Sequence, residues 1–136
     1  MNLDQIKADL IRDEGIRLKP YRDTVGKTTI GIGRNLDDMG ITESEADFLL
    51  ETDIVRTIAD LDGVYPWWRE LSPNRQRALV NMAFNLGITR LVKFRKMMAA
   101  FRDGDYETAG HEAFQSAWAG QVGQRANRIR DLIVEG

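Results

Sequence analysis

Few local folds are open to the stretch from Asp13 to Arg34, which reads D-E-G-I-R-L-K-P-Y-R-D-T-V-G-K-T-T-I-G-I-G-R. Leu3, Ile6, Leu10 and Ile11 lie ahead of it at helical spacing, so a helix runs into it and must stop. Asn2 with Gln5 is a capping pair for the start, and Gly15 is a left-handed stop, which puts Glu14 in the last turn. Unpaired carbonyls there form the negative end of the helix dipole. A carboxylate at that end is disfavoured as the anion and keeps its proton more readily, which suits a general acid. An ordinary solvated glutamate at a helix end is the competing reading.

Asp23-Thr24-Val25-Gly26 reads as a hairpin tip, with Asp favouring the turn and Gly supplying a positive φ. Thr28 to Gly33 then alternates, Ile30 and Ile32 on one face, Thr29, Gly31 and Gly33 on the other. Glycine weakens a strand, so two on one face imply close approach to the backbone, by a flat substrate such as a sugar or by a packed neighbour. Thr29 shares that open face, where its hydroxyl can hold a water. A lone aspartate in a turn is most often only a turn residue.

The run D-E-G-I-R-L-K-x-Y-x-D-T-x-G-x-x-T-I-G-I-G resembles the T-even phage lysozyme family, glycoside hydrolase family 24. The similarity continues through R-A-L-V-N-M-A-F-N-L-G (Arg77 to Gly87) and, more weakly, through Trp118 and Q-R-A-N-R-I (Gln124 to Ile129). Carried over position by position, the resemblance implies catalytic roles for Glu14, Asp23 and Thr29. Gly31, Phe84 and Asn85 become substrate contacts, with core packing as the competing role for Phe84. An arginine at the position of Arg125 lies near the catalytic glutamate in such enzymes, so Arg125 joins the substrate-binding set; a solvated helix face is its alternative. The sequence departs from the pattern in two places. Arg34 stands where the family often has histidine, and the connection from Arg34 to Ile41 is very short where T-even enzymes carry an insertion with its own helix. A reduced small lobe and fewer outer sugar subsites are expected from that.

Composition fits a compact enzyme: 136 residues, 43% hydrophobic, enough for one domain with a real core. There is no cysteine and one histidine, His111, so neither a thiolate nor a His-rich metal site is expected, and His111 reads as an ordinary helix-surface or partly buried side chain. Asp4, Lys7, Asp9 and Arg12 break up the N-terminus, so no signal peptide and no membrane insertion are expected. Residues 1–71 hold 9 basic and 15 acidic side chains, net −6, and residues 72–136 hold 10 and 6, net +4. The basic half suits an anionic polymer such as cell wall, although helix surfaces often carry such bias without a partner. G-I-G-R after a strand lacks the third glycine and following helix of a dinucleotide loop, and no nucleic-acid partner is expected.

Further along, Thr42-Glu43-Ser44-Glu45 is a capping box opening a long helix over about 43–61, with Gly63 as its stop. The Trp67–Trp68 pair reads as core or rim packing before sugar stacking. Ser72-Pro73 caps a helix whose Ala78, Leu79, Met82, Ala83 and Leu86 suit the centre of a second lobe. Leu91 to Arg102, Tyr106 to Trp118 and Arg125 to Val134 read as three more helices, with Gly104, Gly120 and Gly123 as punctuation.

The expected architecture is a mainly helical α+β, lysozyme-like fold in a single domain, 1–136. A small β lobe spans about 15–41, and a helical lobe spans about 64–136 with the N-terminal helix packed on it. The resemblance implies a cofactor-free muramidase acting on bacterial peptidoglycan, at the β-1,4 bond between N-acetylmuramic acid and N-acetylglucosamine. A monomer serving phage-driven host lysis is expected; without an apolar leader it waits in the host cytoplasm until a separate membrane-permeabilising protein gives it access to the periplasm and wall. A catalytically weak, muramidase-like wall-binding or localisation module is the alternative, favoured by Arg34 and the short connection.

Overall fold

The computed structural model describes every residue, Met1–Gly136. The chain is mainly helical with one three-stranded antiparallel sheet, the expected α+β class. It forms two compact units, Met1–Phe48 and Leu49–Gly136. No helix is long and apolar enough to cross a membrane.

The first unit opens with α1, Leu3–Glu14, capped by Asn2, whose side chain accepts from the Gln5 amide. Gly15, at φ 74, ends it as expected and donates to Ile11 O. β1 (Arg17–Arg22) and β2 (Thr28–Gly31) pair as a hairpin, Tyr21 opposite Thr29 and Arg22 opposite Thr28, with a register irregularity between Arg17 and Tyr21. Pro20 sits in that irregular part of an edge strand, where a residue without an amide proton costs least. β2 also pairs with β3, Arg34–Asn35, placing Ile30 opposite Arg34.

The expected strand from Thr28 to Gly33 is therefore too long. It stops at Gly31, and Ile32 and Gly33 form a tight turn into β3, with Gly31 and Gly33 at φ 70 and 71. The two glycines serve a reversal rather than one face of a longer strand. The connection from Arg34 to Ile41, expected to be short and bare, holds β3 and a one-turn helix, α2 (Leu36–Met39), capped by Asn35 and closed by Gly40. Thr42 opens α3, Glu43–Val64, through a reciprocal capping box: Glu45 N donates to Thr42 Oγ1 and Thr42 N to Glu45 Oε1. Arg34 doubles that cap, its Nη1 and Nη2 donating to Glu45 Oε1 and Oε2 at 2.9 and 2.6 Å, and its Nη1 also to Gly40 O at 3.1 Å. This fork-to-fork pair pins β3 to the start of α3.

In the second unit α3 continues past Gly63, the expected stop, to Val64. A 3-10 turn, Pro66–Glu70, follows, and in it Trp68 is buried with its Nε1 donating to Asp62 Oδ1 at 2.7 Å, the packing role expected of the pair. α4 (Pro73–Leu86), capped by Ser72, supplies Leu79 and Met82 to a core shared with Leu61, Leu91, Met97, Phe101, Ile129 and Ile133.

The three helices expected beyond it are five. α5 (Ile88–Leu91) and α6 (Arg95–Asp103) are separated by a tight turn in which Lys93 N and Phe94 N reach back three residues. Ser116 splits α7 (Tyr106–Gln115) from α8 (Ala117–Val122): its hydroxyl donates to Ala113 O and accepts from Ala119 N, closing one helix and opening the next. Gly120 lies inside α8, and Gly123 precedes α9, Gln124–Glu135. Gly110 lets α7 approach α9, since a Cβ there would meet Val134 at 2.6 Å. Arg75 on α4 caps the far end of α9, donating to Ile133 O and Val134 O while its guanidinium lies 3.4 Å from the Tyr106 ring centre.

Three carboxylates are depressed on folding, Asp105 by the Thr108 hydrogen bond and, further down, Glu45 and Asp62. The Arg34 fork and the Thr42 amide hold Glu45 down to about 2. Arg69 and the Trp68 indole hold Asp62 at about 2. Both values are depressed on folding, so the stability they contribute is complete above the unfolded carboxylate range, about 4, and is lost as pH falls towards 2. Urea melts from pH 6 down to pH 2 are expected to show a falling midpoint. The Glu45→Gln/Asp62→Asn double variant should give a flatter profile over the same window.

Candidate active site

Glu14, Asp23 and Thr29 all belong to the first unit. Asp23 is held by its own turn. Its amide donates to Lys27 O, its carbonyl accepts from Gly26 N, and its Oδ1 accepts from Val25 N at 3.0 Å and Lys27 N at 2.8 Å. Two backbone amides thus fix one carboxylate oxygen of this half-buried side chain. Next along the strand, Thr29 was expected on an open face, yet it is the one buried side chain of this unit. Its Oγ1 donates to Lys27 O at 3.0 Å, so the hydroxyl proton is committed and a lone pair is what remains for any further neighbour. Asp23 and Thr29 are tied to the same residue, Lys27. The floor beneath them is held by Thr28 N donating to Asp37 Oδ2 and by the Lys27–Asp38 ion pair.

Glu14 closes α1, and its carboxylate reaches the β2–β3 turn. A Cβ placed on Gly33 would lie 2.9 Å from Glu14 Oε2. Asp23 precedes the first residue of β2 and the Gly33 turn follows its last, so the two carboxylates belong to opposite ends of a four-residue strand. At a rise of about 3.3 Å per residue, that strand spans about 10 Å. Gly31, opposite Arg17, has nothing within 4 Å of its would-be Cβ, so its backbone is open to close approach.

The other expected residues lie in the second unit. Phe84 is not core: it is 42% exposed and lines a groove of about 720 Å³ with Leu50, Ile54, Ile58 and Val80. Asn85, also exposed, accepts from Trp118 Nε1 at 2.8 Å, so its Oδ1 is fixed and its amide nitrogen faces outwards. Arg125 lines the Phe84 groove, and its Nε donates to Asn81 Oδ1 at 2.7 Å. Asn81 was passed over in the sequence, although its spacing from Arg77 and Phe84 on α4 puts all three on one helical face.

The phage lysozyme family matches residues 12–131. The pre-baseplate central spike protein Gp5 of Enterobacteria phage T4 is 36% identical over 155 aligned positions; the match takes in 93% of this chain but only 27% of the spike protein. Probable T4-type lysozyme 2 of Dictyostelium discoideum is 28% identical, with 98% of this chain and 96% of that protein covered. An endolysin of Acyrthosiphon pisum secondary endosymbiont phage 1 is 30% identical over 84% of this chain and 78% of its own length. With the family match running from the end of α1 into α9, the chain belongs to the phage lysozyme family, a group of glycoside hydrolases that act on peptidoglycan.

Proposed function

We propose that the chain is a muramidase that hydrolyses the β-1,4 bond between N-acetylmuramic acid and N-acetylglucosamine. The observation that carries this is the division of labour along β2. One carboxylate, Asp23, shares the backbone of Lys27 with Thr29, while the other, Glu14, lies against Gly33 beyond the far end of the strand. Glu14 donates its proton to the glycosidic oxygen as the bond from that oxygen to the anomeric carbon breaks. Water attacks the anomeric carbon from the opposite side. Asp23 accepts the water's proton, and Thr29, with only a lone pair to offer, accepts a hydrogen bond from the water's other hydrogen. A water held by two acceptors points its own lone pair at the carbon. We take inversion as the course, which needs the two carboxylates about 6.5–9.5 Å apart rather than the about 5–5.5 Å of a retaining pair. In the first unit the open backbone of Gly31 offers a contact for a sugar, and in the second the exposed ring of Phe84, the Asn85 amide and Arg125 each offer one.

The biological setting we infer is phage-driven host lysis, supported by the endolysin relative. The enzyme then acts alone, and a separate membrane-permeabilising protein gives it access to the wall. The likeness to the T4 spike protein favours a second setting, as the wall-cutting module of a virion component. Clearing of outer-membrane-permeabilised Gram-negative cells, followed by analysis of the released fragments, tests the chemistry. New reducing ends on N-acetylmuramic acid are expected. Anhydro ends, peptide cleavage or no release at all would overturn it.

A further inference from the structure

We infer that Gly33 is a positioning residue for Glu14, an inference that rests on Glu14 being the general acid. Five glycines of the first unit have positive φ: Gly15, Gly26, Gly31, Gly33 and Gly40. At four of them a Cβ would meet nothing within 4 Å, so the backbone alone asks for glycine. Gly33 differs. A Cβ there would lie 2.9, 3.1 and 3.3 Å from Oε2, Cδ and Cγ of Glu14. The missing side chain is therefore the space that the carboxylate occupies.

The turn that makes this space is not free to yield. Gly33 is followed by Arg34, which is hydrogen-bonded to both oxygens of Glu45 and to Gly40 O. The wall behind Glu14 is thus set by the β3–α3 junction, independently of α1, which carries Glu14. A glutamate at a helix end has three side-chain torsions, and a fixed wall removes the orientations that would aim the proton elsewhere. A methyl group at position 33 must push either the carboxylate or the pinned turn, by several tenths of an ångström. Displacements approaching 1 Å at a catalytic group can cost about 10²-fold in rate.

The test compares Gly33→Ala with Gly104→Ala. Gly104, at φ 77, closes α6 with open space around its would-be Cβ, so it supplies backbone strain without a neighbour. Gly33→Ala is expected to lower kcat on cell wall by about 10–100-fold with KM nearly unchanged, and Gly104→Ala to lower Tm while keeping kcat. Gly33→Asn carries the same Cβ on the residue that best tolerates left-handed backbone, and should lose kcat alike if the alanine variant does not fold. The same pair of glycine substitutions is then made in Glu14→Ala, and only Tm is read. With the carboxylate gone, the extra Tm loss at position 33 over position 104 should disappear. Normal kcat in the variants at 33, or an extra Tm loss that persists without Glu14, would overturn the assignment. Glu14→Gln separates the two levels: if it kept full activity while the Tm coupling held, the general-acid reading would fall and the contact would stand.

Discussion

Glu14→Gln is expected to lower the rate of wall clearing by about 10²–10⁴-fold while leaving Tm close to its starting value. The substitution keeps the size of the side chain and its fit against Gly33, but glutamine has no proton acidic enough to give to the glycosidic oxygen. Stability should hardly move, because Glu14 makes no side-chain hydrogen bond or ion pair within its own unit, only the close approach to Gly33. Removing a negative charge from the carbonyl end of α1 should, if anything, add about 0.3–1 kcal/mol. Lysis rate and Tm measured on this one variant decide the matter. Near-normal lysis would make Glu14 an ordinary helix-end residue, and a collapsed fold would make it a structural one.

Asp23→Asn should lose about as much activity, 10²–10⁴-fold, for a different reason. Asparagine keeps an oxygen in place of Oδ1, so the Val25 and Lys27 amides stay satisfied and the turn survives. What it lacks is the capacity to take a proton from water. Asp23→Ala removes the turn as well and is expected to lose stability in addition to rate. The contrast distinguishes a catalytic aspartate from the turn residue that sequence statistics favour: a turn role alone predicts an active asparagine variant and a damaged alanine variant. The anomer released by the parent enzyme, followed by NMR, separates a base from a nucleophile. Inversion fits Asp23 as the base, and retention would make it the nucleophile.

What the sequence made legible was local chemistry. Asn2, Gly15, the Asp23 turn, the Thr42–Glu45 box and the Ser72 cap each follow from a side chain meeting a backbone group a few residues away. The errors fall where the deciding contact is distant or where a residue only permits a conformation. Alternation from Thr28 to Gly33 reads as one strand because glycine is compatible with extended and left-handed backbone alike, and pairing with β3 selected the reversal. Arg34 looked like a defect in a recognisable pattern because its acceptor, Glu45, is eleven residues on. The hydroxyl of Ser116 split a helix that hydrophobic periodicity ran through. Phe84 was balanced between core and surface because its helix has buried residues on both sides of it in sequence, and only the fold shows that its ring faces outwards.

The identity of residue 34 also determines what a pH–rate curve of this protein can report. A histidine paired with Glu45 would gain its charge near neutrality, and the pin between β3 and α3 would loosen as pH rose through that range. A guanidinium does not titrate there, and its carboxylate partner lets go only near pH 2. The rivet behind Glu14 consequently stays closed from mildly acid to alkaline conditions. His111, the chain's one histidine, lies exposed on α7 in the other unit. Limbs measured between pH 5 and 8 therefore carry no contribution from release of the Arg34–Glu45 pin.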